Sequence, residues 1–170
     1  MIKGPSVLKH ASRGMRLENH HSKKEQLSLD SAATHILEEC RMVLPGIQAL
    51  FGFQLIAVFN QGFAATLSET EQQMHFASII FTVVAIGLVM APAALHRRID
   101  PLAVTERFIH TSSKLLLLSM LPLAISISME VYLIGRVILF STSLAMVFAV
   151  FVFIFFLIVW IALPFKEKHS

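Results

Sequence analysis

Three groups of side chains in this chain are of types that could do chemistry. Glu130 is the one acid set inside a long apolar run, and Arg136 follows six residues later. A carboxylate there could carry a proton or a cation, or pair with Arg136 across a turn. His96 and Arg97 close the stretch "VMAPAALHR", and Arg98 follows. His96 could ligate a metal with His110 or His35, whereas the three together could anchor a helix end among anionic headgroups. Gln54 and Gln48 are amides in another apolar run, where each needs a partner away from water. Six helical steps leave them about 120° apart, so one face cannot present both, and Gln54 is expected to bond to another helix. An enzyme would have to be assembled from Glu38, Glu39, Arg41, His96, Arg97 and His110. No nucleophile, phosphate loop or metal-ligand spacing accompanies them, so the chain reads as non-enzymatic and without a cofactor.

These residues are carried by elements that composition already restricts. The chain has 170 residues, 55% hydrophobic and 15% charged, with a mean hydropathy of +0.70, which is too apolar for an ordinary soluble domain. No charged residue falls between Phe76 and Leu95. At 1.5 Å per residue that run spans about 30 Å, the thickness of a bilayer's hydrocarbon core. A second run extends from Val43 to Phe63, and a third from beyond Lys114 to Phe165. As one helix the third would reach about 75 Å, so it must fold back, and Gly135-Arg136 is the expected break. The fold class is therefore all-α, a polytopic membrane protein with four spans near 43–63, 76–95, 115–133 and 138–163. The last two form a hairpin. Phe-rich span four alternates locally like a strand, but a lone strand cannot satisfy its backbone in lipid.

Orientation follows from charge. Of the 14 Lys and Arg, all but Arg136 fall on one side of this scheme, while Glu69 and Glu71 fall on the other. Both termini are then cytoplasmic. Tyr132 and Trp160 sit where interfacial anchors belong. The net charge of +3 is accounted for by this topology, and nucleic-acid binding is not suggested. Residues 1–28 lack the apolar core of a signal peptide and read as a disordered cytoplasmic tail, His20-His21 included. Residues 29–42 read as a separate amphipathic juxtamembrane helix, with Asp30 as its cap and Ala33, Ile36, Leu37, Cys40 and Val43 on its apolar face. The 43–165 region is the transmembrane domain, and 166–170 a short cytoplasmic tail. Cys40, the only cysteine, excludes an intrachain disulfide.

Proton and cation carriers commonly place a carboxylate near the midplane, and no ionisable side chain falls there in this scheme. Glu130 lies near the outer end of span three, where pairing with Arg136 is the structural expectation. Pro92 and Pro122 free the Leu88 and Leu118 carbonyls, and two kinks would open a vestibule with His96 at its rim. Pro45, in "LPGIQ", suits the first turn of span one. Ser119, Ser126, Ser128, Ser141, Thr142 and Ser143 can bond to carbonyls of their own helices. No His falls within a span so drawn, which disfavours a heme.

The segment "EECRMVLPGIQALFGFQLIAVF", followed after an acidic loop by "VMAPAALHR", resembles an uncharacterised family of small bacterial integral membrane proteins. The features carrying the resemblance are Glu39 and Arg41; the helix start Leu44, Pro45, Gly46 and Gln48; Phe51, Phe53 and Phe59; and Pro92, Leu95, His96 and Arg97. It covers residues 36 to 165 and implies a four-helix fold in the bacterial cytoplasmic membrane, with no established activity. Some members carry a sodium:proton antiporter label. The sequence thus favours a structural or accessory membrane protein, as a homo-oligomer or within a larger membrane complex. The alternative is a cation or proton transporter using Glu130 or the region near Pro92 and His96.

Overall fold

The computed structural model describes the backbone of residues 6–98 and 105–162, and the side chains of residues 28–97 and 105–160. It is all-helical: α1 (Ser6–Val58), a single turn α2 (Phe63–Thr66), α3 (Glu69–Arg98), α4 (Glu106–Leu139) and α5 (Thr142–Leu157), which runs on as a π-helical turn, Ile158–Ala162. Among the described residues four segments are long and apolar enough to cross a membrane: Ser28–Val58, Glu69–Arg97, Glu106–Leu139 and Thr142–Trp160. The end bearing the α1–α3 connection and the α4–α5 turn is called the upper end below.

The elements differ from the sequence expectations in four places. First, α1 is one helix, so the amphipathic segment 29–42 is its middle rather than a separate element, and Pro45 lies inside it. Secondly, the backbone is already helical from Ser6, within the stretch read as a disordered tail. No proline falls between Pro5 and Pro45, and the stretch is rich in Leu, Lys, Glu, Arg and Gln, all good helix formers. Residues 1–5 and the 166–170 tail lie outside the described residues. Thirdly, α3 begins seven residues before Phe76, at Glu69, which brings His75 into the helix. Fourthly, the hairpin break is not Gly135-Arg136. The helix continues to Leu139, Phe140 takes the left-handed conformation with φ 51°, and Ser141 caps α5 by accepting from the Leu144 amide at 3.5 Å. Gly135 serves a different end. A Cβ there would meet the Ala145 Cβ at 3.3 Å, so the glycine permits close approach of α4 and α5.

Burial follows steps of three and four residues. On α3 the buried positions include Glu71, His75, Ser78, Thr82, Ala85, Val89 and Pro92; on α4 they include Ser112, Leu116, Ser119, Leu123, Ser126 and Leu133. On α1 they are Ala33, Ile36, Cys40, Ile47 and Gln54. A repeat averaging 3.5 residues is the signature of nearly aligned helices meeting along a seam, and the many Ser and Ala positions let backbones come close. α3 and α4 form the centre, α1 lies against both, and α5 covers the far side of α4. The lower half of the seam is an apolar cluster of Ile36, Cys40, Ile47, Ala85, Val89, Leu116 and Leu123.

Candidate functional site

The upper half of the same seam is polar. Gln54 from α1, His75, Ser78 and Thr82 from α3, and Ser126 from α4 are all buried, and Glu130 from α4 is nearly so. The reason lies in the register. The seam positions of α3 read Glu71, His75, Ser78, Thr82 and those of α4 read Ser126, Glu130, so two polar stripes meet where α1 contributes Gln54. Gln54 Nε2 lies 3.0 Å from Ser126 Oγ, 3.2 Å from Glu130 Oε1 and 3.3 Å from Ser78 Oγ, and its two N–H groups are shared among these three acceptors. It thus joins α1 to two other helices. Ser78 Oγ lies within hydrogen-bond reach of Glu130 Oε1 and, at 2.7 Å, of the His75 carbonyl, and its single O–H can serve either. Ser126 donates to the Ser78 carbonyl at 2.9 Å and shares a 2.7 Å bond with Thr82.

His75 stands at the centre of this network. Its Nδ1 is 3.0 Å from Glu130 Oε1, and its Nε2 is 3.0 Å from the Gln54 carbonyl oxygen. Both partners are acceptors. A neutral imidazole has one N–H and would leave the other nitrogen's lone pair against an oxygen. Glu130 Oε1 faces the Ser78 hydroxyl, the Gln54 amide and His75 together, and a ring carrying both N–H groups would satisfy Glu130 Oε1 and the Gln54 carbonyl at once. Glu130 Oε2 takes no hydrogen bond from the described residues. Above the pair opens a cavity of about 520 Å³ lined by Phe53, Gln54, Asn60, Phe63, Thr66, His75, Glu130, Leu133 and Ile134 among others. Phe63, from α2, meets the His75 ring edge-on at 5.1 Å. A mostly apolar cavity of this size with a few convergent polar groups suits a small ligand.

Arg136 does not pair with Glu130. Its guanidinium reaches Glu71, with Nε against Oε1 and Nη2 donating to Oε2 at 3.2 Å. Seam geometry decides this: Glu71 faces α4 one turn above His75, while Glu130 is taken by α3 and α1. Glu71 also reaches back over the start of α3, accepting from the Ser68 amide at 2.8 Å and the Ser68 hydroxyl at 2.7 Å, the carboxylate half of a capping box. Ser119 and Ser128 do bond to carbonyls of their own helix, those of Leu116 and Ala124, but Ser126 bonds across helices instead.

At the lower end Arg41, His96 and Arg97 come together. They line a second cavity, of about 320 Å³, between α1 and α3 with Leu37, Cys40, Leu44, Val89, Met90 and Ala93. His96 meets the Phe108 ring edge-on at 5.8 Å. Pro92 is buried in the seam, and α3 continues through it, as α4 does through Pro122. Gln48, Glu38, Glu39, His35 and His110 are exposed and line neither cavity. His35 lies 3.8 Å from Glu38. Among the described residues no three His, Cys, Asp or Glu side chains are grouped to hold a metal.

Sequence reasoning passed over His75, Ser78 and Thr82, read Glu71 only as a charge setting the topology, and read Ser126 as bonding to its own helix. A signal existed, because Glu71, His75, Ser78 and Thr82 recur at helical spacing and "SETE" is a capping box. Starting the span at Phe76 hid it. No curated protein and no solved structure matches this chain. One family model does match, over residues 21–164, and by that match the chain belongs to DUF6328, a family of unknown function.

Proposed function

We propose that this protein is a multi-pass membrane protein of the bacterial cytoplasmic membrane, with both termini cytoplasmic, that binds a proton and exchanges it for a cation at His75 and Glu130. The observation that carries the reading is His75 with an oxygen acceptor at each ring nitrogen, beneath a cavity that Glu130 also lines. Removal of the imidazolium proton would leave a buried carboxylate without a counter-charge, which a cation entering the cavity would supply. Among the described side chains Arg41, Arg97, Arg107 and Lys114 fall toward the lower end and Arg136 at the upper end, so the cavity faces outward in this reading. The reading assigns no catalysed reaction to the chain.

The test is proton flux in proteoliposomes holding a pH-sensitive dye, under imposed Na⁺ or K⁺ gradients. Wild type should dissipate the gradient, Glu130→Gln and His75→Ala should each abolish flux, and His35→Ala, at an exposed residue lining neither cavity, should retain it. Tight wild-type vesicles would overturn the transport reading. A second reading, an accessory or oligomeric membrane subunit, is favoured by a specific observation. Below Thr82 and Ser126 the seam is closed by Ala85, Val89, Leu116 and Leu123, while α5 exposes Val147, Phe148, Phe151 and Phe155. Among the described residues the hydroxyls of Ser119 and Ser112 are the polar groups buried in the seam below, and transport would require movement of α1 or a second copy.

A further inference from the structure

We propose that the groove between α1 and α3 at the lower end binds a phospholipid with an anionic headgroup, held by Arg41, His96 and Arg97, with an acyl chain along Leu44 and Met90. Three observations carry this. The first is convergence: Arg41 stands in "EECRM" on α1 and His96-Arg97 in "ALHR" on α3, 55 residues further on in the sequence, yet all three line one cavity of about 320 Å³. The second is charge. No carboxylate of the described residues pairs with either guanidinium, and Glu38 and Glu39 lie outside the lining. Two unpaired guanidinium groups and an imidazole suit a phosphodiester, which arginine can bind with two parallel hydrogen bonds.

The third observation is depth. Arg41 lies 17 residues before the end of α1 at Val58. At 1.5 Å per residue that is about 26 Å, close to one hydrocarbon thickness, so Arg41 falls near a headgroup layer when Val58 is at the other. Above the basic groups the groove wall is apolar, with Ala93, Met90 and Val89 on α3 and Leu44 on α1. Met90 and Ala93 are exposed, so the groove opens sideways, toward lipid. A soluble phosphate would use the basic rim alone; a phospholipid uses rim and wall together.

The inference rests on the membrane placement proposed above and not on proton binding. The test titrates the purified full chain, in neutral detergent, with phosphatidylglycerol, phosphatidylcholine or inorganic phosphate. Thermal shift reads binding, and native mass spectrometry reads retained lipid. Phosphatidylglycerol should raise the melting temperature and stay bound, and the other two should not. Arg41→Gln with Arg97→Gln should weaken phosphatidylglycerol binding by about tenfold or more, as expected for two basic groups near an anionic surface. Lys114→Gln, which removes an exposed cation outside the groove, should leave binding unchanged, and Arg41→Lys with Arg97→Lys should restore most of it. Equal binding of both lipids, equal protection by inorganic phosphate, or full binding by the double glutamine variant would each overturn the site. Carbonate extraction of wild type from membranes would overturn the membrane placement itself. Retention in the membrane without headgroup preference would overturn the groove alone.

Discussion

Each ring nitrogen of His75 meets an oxygen, and that count of acceptors, more than the depth of the residue, sets its chemistry. Removing one member of a buried, hydrogen-bonded ion pair leaves the other uncompensated, which typically costs about 3 kcal/mol or more. His75→Ala should therefore lower unfolding stability in detergent by about that amount, while His75→Leu combined with Glu130→Leu should cost less than the sum of the singles. Additive losses in a double-mutant cycle would refute the pairing. The same logic separates the two carboxylates. Glu71→Ala and Arg136→Ala should couple by about 1 kcal/mol, and Glu130→Ala and Arg136→Ala should not couple. Glu130 was legible as an acid in an apolar run, and Gln54 as an amide in need of a partner. Their partners were not, because a partner's identity depends on the register between helices distant in sequence. Arg136, near in sequence to Glu130, was the wrong choice for that reason.

At the scale of elements, glycine and proline proved poor guides to where helices stop. Gly135 and Arg136 look like a turn in one dimension, but both have work inside α4: the glycine meets Ala145 and the arginine meets Glu71. The turn falls instead on Phe140, 93% exposed and at φ 51°, a conformation that costs a residue with a Cβ roughly 1 kcal/mol. Phe140→Gly should accordingly stabilise the hairpin by up to about 1 kcal/mol, measured by unfolding in detergent. Gly135→Leu should destabilise it by about 1–3 kcal/mol, since α5 leaves no room for a side chain. A neutral Gly135→Leu would mean that α5 does not pack where it is placed. The number of long apolar helices was readable because a run of twenty apolar residues has few other solutions. The helix ends were not, because polar residues at the ends of the spans are satisfied by contacts between helices.

For the whole molecule, the sidedness argued from charge makes its own prediction. In a Cys40→Ala background, which removes the one native thiol, Thr142→Cys should react with a membrane-impermeant maleimide on intact cells, and Lys166→Cys only after permeabilisation. The reverse pattern would invert the topology and turn the upper cavity inward. The lower cavity lies between α1 and α3, and the upper one between α1 and α4, with α2 above it and His75 reaching in from α3. Arg41 and Gln54 are 13 residues apart on α1, about 20 Å, and Ile47 and Ala85 of the apolar cluster sit between the levels of the two cavities. Tilting α1 about that level would change the space at both ends at once, because α1 forms a wall of each cavity. Occupants of the two ends would then sense one another without touching, and by thermodynamic reciprocity each would change the other's affinity by the same factor.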